Sequence, residues 1–387
     1  MRATIIKSFY FRGAQSVADI AHRMQKSIPS ITRVINELLS EEILVENGHA
    51  PSTGGRRAAR YILNKANTPC FVTIAIDQYS ISGNIFDIHN TALCDSVSVQ
   101  SDFQNPSFFD KLCQSIQSLL DKSKVEKKEI GNIALTIPGF VNYQTGINDS
   151  FPSDSPFYNL PKRIEEVFGK EAYVQNDSSA IATAESIFGA ARDISDALII
   201  NFNWGVGLGI IVENRLFTGH NGFAGEFSHI PLTHSSKLCS CGKRGCLEVE
   251  ASLLAAIEFV EQQVKEGKTS ILSSLPSCNN IPKKGEALIQ AARKGDQLAI
   301  NAANKSAFML GKGIATLIHI LNPEKIIISG RGAQFGALIL PQIQSAINEF
   351  AIPKLAKQSK IEISKNPEVI QLLGTVCLAV ENFNWSN

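Results

Sequence analysis

The chain has 387 residues, of which 44% are hydrophobic and 19% charged, so it can bury two or three cores and long disorder is excluded. No apolar run approaches the ~18 residues of a membrane span, and the opening "MRATIIKSFYFRGAQS" lacks the apolar stretch of a secretory signal, so a cytoplasmic protein without a membrane partner is expected. The net charge of +1 is unevenly spread: residues 1–70 hold ten Lys/Arg against five Asp/Glu, or +5, which leaves −4 for the rest (27 against 31). A basic head on a slightly acidic body points to a polyanionic partner for the head.

In chain order, Ser16 with Asp19 three residues on resembles a capping box, followed by Val17, Ile20, Ala21 and Met24 at helical spacing. After a short turn, Ser27 can cap a second helix with Pro29 in its first turn, where a missing N–H is harmless. Ile28, Ile31, Ile35 and Leu38 are the expected buried stripe of that helix, which leaves Ser30, Thr32, Arg33 and Asn36 outward. "EILVE" and "ARYILN" read as two strands around the loop "NGHAPSTGGRRA". Helix, tight turn, helix and hairpin make a winged helix-turn-helix over residues 1–67. Ser30, Thr32, Arg33 and Asn36 are its candidates for the major groove of operator DNA, and Arg56 and Arg57 for the wing. A small protein-interaction module with a solvated charged face is the other reading.

From Cys70 the pattern is α/β. "CFVTIAIDQYSISGNIFDI" reads as two strands and "KEIGNIALTIPGFV" as a buried strand ending at Pro138-Gly139. A strand, Asn176-Asp177 and a helix follow, then the glycine-rich hairpin "DALIINFNWGVGLGIIVENRLFTG". Residues 259–321 are mainly helical, and "NPEKIIISGRGAQFGALILPQIQSAI" gives strand, glycine turn and helix. Strand ends carrying Gly or Asp place a cleft there.

The stretch "HIPLTHSSKLCSCGKRGCLEVE" is the most specific. Eight cysteines in a reducing compartment are expected to be thiols or metal ligands rather than disulfides. His229 with Cys239, Cys241 and Cys246 makes a Cys3His set suited to tetrahedral Zn2+, with no open position and therefore a structural role. A DNA-reading finger is not expected, since Lys243 and Arg244 make only a small basic patch.

The winged head, "PGFV", "QNDSSA", "AGEFSH" and "CSCGKRGCLE", in this order, resemble the ROK family (repressors, open reading frames and kinases) over essentially the whole chain. The resemblance implies a two-lobed actin-like (ribonuclease H-like) ATPase/sugar kinase fold. The first lobe would cover residues 68–178, completed by a C-terminal helix at about 368–387, and the second residues 179–367. It also implies that Gly139, Asn176, Asp177, Glu226, His229 and Glu248 line a pocket for a sugar or sugar phosphate, with Asp177 in the place of a kinase base.

The chain departs from the family's kinases at three places. Asp77-Gln78-Tyr79-Ser80-Ile81 stands where they have an Asp-x-Gly-Gly-Thr turn, Asn203-Trp204 where they have Gly-Thr, and Arg331 where glycine is usual near the adenosine. Gly205, Gly207 and Gly209 of a second phosphate turn remain. The expectation is a sugar-responsive repressor of carbohydrate genes, a homodimer or homotetramer without efficient phosphoryl transfer. A sugar kinase with a fused head is the alternative, and a pure interaction protein a third.

Overall fold

A computed structural model describes residues 1–49 and 57–385. The wing tip, with Gly54, Gly55 and Arg56, lies outside the described residues. The head consists of α1 (Arg2–Arg12), α2 (Val17–Met24), α3 (Ile28–Ser40) and an antiparallel pair, β1 (Leu44–His49) with β2 (Ala59–Leu63). The box at α2 forms: Ser16 Oγ accepts from Asp19 N, and Asp19 Oδ2 accepts from Ser16 N at 2.8 Å. Ser27 caps α3. The buried stripe of α3 is Ile31, Val34, Ile35 and Leu38, whereas Ile28 is 57% exposed, against expectation, because it opens the helix one turn outside that stripe. Helix α1 buries Ile5, Ile6, Phe9 and Tyr10.

The body repeats one topology twice. The first sheet comprises β3 (Cys70–Ile76), β4 (Ser80–Phe86), β5 (Val97–Gln100), β6 (Ile130–Ile137) and β7 (Ala172–Asn176), in the order β5-β4-β3-β6-β7. Helices α4 (Phe108–Ser123) and α5 (Leu160–Phe168) belong with it, and α6 (Asp177–Ile187) follows. The second sheet comprises β8 (Ala197–Phe202), β9 (Val206–Val212), β10 (Arg215–Leu216), β11 (Lys325–Ser329) and β12 (Lys360–Ile363), in the order β10-β9-β8-β11-β12. In each sheet the first three strands are an antiparallel meander, and the last two join parallel. Between β10 and β11 lie α7 (Glu248–Ala251), α8 (Leu253–Lys265), α9 (Ile281–Arg293) and α10 (Gln297–Leu321); α11 (Leu340–Phe350) and α12 (Pro353–Ala356) precede β12.

Both faces of each central strand are covered, which is why β3 and β8 read as near-continuous apolar runs. In β3, Val72, Ile74 and Ile76 join the core with Leu112 and Ile116 of α4. Phe71 and Ala75 point the other way, into the core of Val376 and Val380 on α13 (Ile370–Asn382). In β8, Leu198, Ile200 and Phe202 face the helical layer, and Ala197 and Ile199 face Ile181 and Ala182 of α6.

Helices α6 and α13 thus lie between the sheets. They meet where a Cβ on Gly374 would stand 2.1 Å from Ala180 O. Buried bonds pin α13 to β6: Asn132 Nδ2 donates to Ala379 O (2.9 Å), and Gln371 Nε2 to Thr136 Oγ1 (3.0 Å). The head docks on this joint. Tyr10 is buried, donates to Asn90 Oδ1 (2.7 Å), and sets its ring edge-on to Phe188, the C-cap of α6. Arg2 Nε donates to Trp385 O, and head and α13 share one apolar core. Among the described residues no helix is long and apolar enough to cross a membrane.

Candidate functional site

Gly139, Asn176, Asp177, Glu226, His229 and Glu248 all line one cavity of about 460 Å³ between the lobes. Its floor is the start of α6. Asn176 Oδ1 caps that helix, accepting from the Ser178 and Ser179 N–H groups, while its Nδ2 donates to Gly139 O (3.1 Å). Asn176 is therefore largely occupied in holding the strand end and the 139 turn together. Asp177 is buried, with Oδ1 held by Ser178 N (2.8 Å) and Oδ2 by Asn201 Nδ2 (3.1 Å). Burial raises its pKa to about 6; Ser178 and Asn201 pull it back and Asp77 pushes it further up. Glu226, which faces the cleft, is raised to about 7 by desolvation and then by Asp177 and Glu248. None of Asp177, Glu226 and Glu248 pairs with Lys or Arg among the described residues. Three carboxylates around one space offer acceptors that match a polyhydroxylated ligand.

The cleft also has lining residues that the sequence did not single out. Asn201 comes from the end of β8, and Asp149 and Ser150 from the long loop before α5. Ser150 Oγ accepts from Phe140 N (2.8 Å), and a Cβ on Gly139 (φ +112°) would stand 2.6 Å from it. Gly207 and Gly209 have a packing role. Cβ atoms there would fall 2.0 Å from Ser178 Oγ and 2.1 Å from Ala182 Cβ, so these glycines let β9 lie against α6.

One wall of the cleft is the cysteine loop. The ligand atoms of His229, Cys239, Cys241 and Cys246 all lie within 4.8 Å of one another. Cys241 and Cys246 sulfurs are 3.6 Å apart, and Cys239 Sγ is 3.5 Å from His229 Nδ1. A tetrahedron with metal–sulfur arms of ~2.3 Å has edges of about 3.8 Å, so the cluster fits a structural zinc ion. With Nδ1 on the metal, His229 Nε2 faces Glu226 Oε2 at 3.5 Å, an outer carboxylate that orients the ring. Glu248 sits at the other edge, Oε1 3.7 Å from Cys239 Sγ and Oε2 accepting from Val206 N (3.3 Å). The metal loop therefore positions two of the cleft's polar groups.

Towards the first lobe the same cleft is closed. Asp77 accepts from Tyr79 N, Ser80 Oγ and Arg331 of the opposite lobe, each at 2.7 Å. The Arg331 guanidinium lies 5.2 Å from the centre of the Trp204 ring, and Tyr79 meets that ring edge-on at 5.7 Å. Trp204 is buried, its ring against Gly285 of α9. Side chains and a salt bridge fill this end of the cleft.

On the head, Arg33 and Asn36 are exposed; among the described residues Arg33 has a loose 3.6 Å contact with Glu37. Ser30 and Thr32 are half-buried. Ser30 Oγ contacts Met1 Sδ (3.7 Å), and Thr32 Oγ1 donates to Ile28 O (2.8 Å). Arg57 is exposed at the entry to β2.

Fold and site together define a class: an actin-like sugar-kinase body with a Cys3His centre beside a polar cleft, behind a helical head. The ROK family model matches residues 89–382, and the chain belongs to the ROK family. It is 28% identical to a xylose repressor of Caldicellulosiruptor bescii over 356 residues, covering 91% of this chain and 88% of that one. It is 29% identical to the DNA-binding transcriptional dual regulator NagC of Escherichia coli over 341 residues, 88% and 82% of the two chains. Among solved structures, a ROK family transcriptional regulator, a homologue of the E. coli MLC protein, superimposes with a TM-score of 0.77 at 25% identity, covering 98% of this chain and 95% of that one. A ROK family glucokinase from Streptomyces griseus, in complex with glucose and AMPPNP, matches the fold with a TM-score of 0.70 at 24% identity over 81% of this chain and 99% of its own.

Proposed function

We propose that the protein is a sugar-responsive repressor of carbohydrate genes that has lost kinase activity. The observation that carries this reading is the contrast within one cleft: an open carboxylate-lined end beside a nucleotide end filled by Arg331, Trp204 and Tyr79. The similarity to repressors over 91% and 88% of the chain, and to the structure of a ROK family transcriptional regulator over 98% of it, supports it.

In this reading Asp177, Glu226 and Glu248 accept from sugar hydroxyls, His229 Nε2 adds a polar contact, and Gly139 and Asn176 shape the turn above them. The zinc-bound loop holds His229 and Glu248 at fixed spacing. The head is a winged helix-turn-helix, with Arg33 and Asn36 at base edges, Ser30 and Thr32 beside them, and Arg56 and Arg57 on the backbone or minor groove. Two heads in a symmetric dimer would read a roughly palindromic operator. Helix α6 supplies the link. Its first residue, Asp177, lies in the cleft, and Phe188, about 16 Å on, lies against Tyr10 of the head. Sugar binding that moves the lobes moves α6 and with it α1, so each ligand state favours a different head geometry.

The test is binding to duplex DNA selected from a random pool, at fixed salt, with a sugar identified by thermal shift. Arg33→Ala should weaken binding about 5- to 150-fold, the loss of one base contact. Unchanged binding removes α3 as the reading helix. The kinase reading, in which Asp177 is the base, predicts ADP release with that sugar; turnover at ordinary enzyme rates would establish it.

A further inference from the structure

A second cavity, of about 670 Å³, lies outside the cleft, between the head, the last turns of α6 and the β9–β10 hairpin. Its size falls in the range of small-molecule sites. Four guanidinium groups line it: Arg12, Arg23 and Arg60 from the head, and Arg192 from the turn after α6; Thr183 and Ser186 add hydroxyls from α6 itself.

The acids that line the same space are mostly engaged elsewhere. Asp19 is held in the cap of α2, and Glu381 pairs with Lys7 at 3.1 Å. Asp193 has only a 4.0 Å contact with Arg192. Arg12 has no ion pair or hydrogen bond among the described residues. Among the described residues Arg23 bonds neutral partners, Ser8 Oγ at 2.9 Å and Gln15 Oε1. Burial and then the neighbouring Arg12 charge lower its pKa, and Asp19 offsets part of that. Four guanidiniums against three carboxylates, two of them engaged elsewhere, leave N–H groups that phosphate oxygens match, since each can accept two at a time.

We propose that this cavity binds a small phosphorylated metabolite as a second effector, separate from the sugar in the cleft. Binding itself does not depend on the repressor reading; the regulatory consequence does. The ligand would tie α2 and β2 of the head to the end of α6, the helix whose first residue lies in the sugar cleft. It would hold the head in one orientation on the body. Duplex DNA is a poorer occupant, because α6 and the second-lobe hairpin wall the cavity on the body side.

The test uses the zinc-loaded full chain without DNA, and glycerol 3-phosphate as probe, against glycerol at equal concentration and constant ionic strength. Wild type should show saturable binding by calorimetry and a raised melting temperature. Arg12→Ala/Arg192→Ala should weaken it about tenfold or more; among the described residues neither side chain makes a hydrogen bond and Arg192 has a 4.0 Å contact with Asp193, so folding should be kept. Asp177→Asn, which disables the sugar cleft, should leave probe binding unchanged. No binding by wild type at 10 mM (roughly the weakest affinity a small-molecule site would be credited with), or equal binding by the double variant, overturns the proposal. Protection of these arginines by duplex DNA but not by the probe also overturns it and assigns them to DNA backbone.

Discussion

The two ends of the interlobe cleft use similar residues to opposite effect. At one end Asp177, Glu226 and Glu248 surround space with no Lys or Arg paired to them among the described residues; at the other Asp77 is closed by Arg331 and roofed by Trp204 and Tyr79. Carboxylates without a Lys or Arg partner in a desolvated wall are costly to keep charged, and in the proposed reading a ligand that donates hydroxyls relieves them. A paired carboxylate under aromatic rings is already satisfied and has nothing to offer a phosphate chain. A cleft open at one end and closed at the other fits the proposed binding role.

The largest effect should come from removing the support of the open end. One zinc per chain is expected by elemental analysis. Cys246→Ser, at a buried ligand, should abolish it and destabilise the fold by several kcal/mol. Sugar affinity should fall with it, since His229 and Glu248 lose their anchor; a stable, sugar-binding, zinc-free variant would separate metal from cleft.

Next comes Asp177. Its folded pKa of about 6 lies above the ordinary carboxylate value of about 3.9, so the folded state favours the protonated form. The corresponding stability is full below about pH 4 and is lost as the pH rises through about 6, on the order of 3 kcal/mol for this group alone. Asp177→Asn should flatten that part of a denaturant-unfolding profile and abolish sugar binding. An unchanged slope would mean that Asp177 is not the group relaxed by ligand.

A smaller effect is expected at the closed end. Arg331→Ala leaves Asp77 with Ser80 Oγ and Tyr79 N only, and because Arg331 is partly exposed the loss should be about 1 kcal/mol in thermal or denaturant unfolding. ATP turnover should not appear, since Gln78 and Tyr79 still occupy the turn. Appearance of turnover would show that the closed end was only latched.

The zinc set was legible because its ligands lie within 18 residues, and the caps of α2 and α3 because they are local. The loss of glycine at 77–81 was legible too, but its replacement was not: Arg331 reaches Asp77 across 254 positions. Gly207 and Gly209 read as a phosphate turn because spacing does not show that Ser178 and Ala182 pack on them. Helix α1 was passed over for lack of a capping side chain, although Ile5, Ile6, Phe9 and Tyr10 already carry its buried stripe. The doubled sheet order was invisible because topology, not sequence similarity, repeats.

The central claim is that the open end governs DNA binding while the closed end does no chemistry. The direct measurement is fluorescence anisotropy on a selected duplex, with and without the sugar that shifts the melting temperature, run beside an ADP-release assay on the same sample. The account predicts a 5- to 150-fold change in DNA affinity, lost in Asp177→Asn, and no ADP above background. Sugar-independent DNA binding together with ordinary kinase turnover would contradict it.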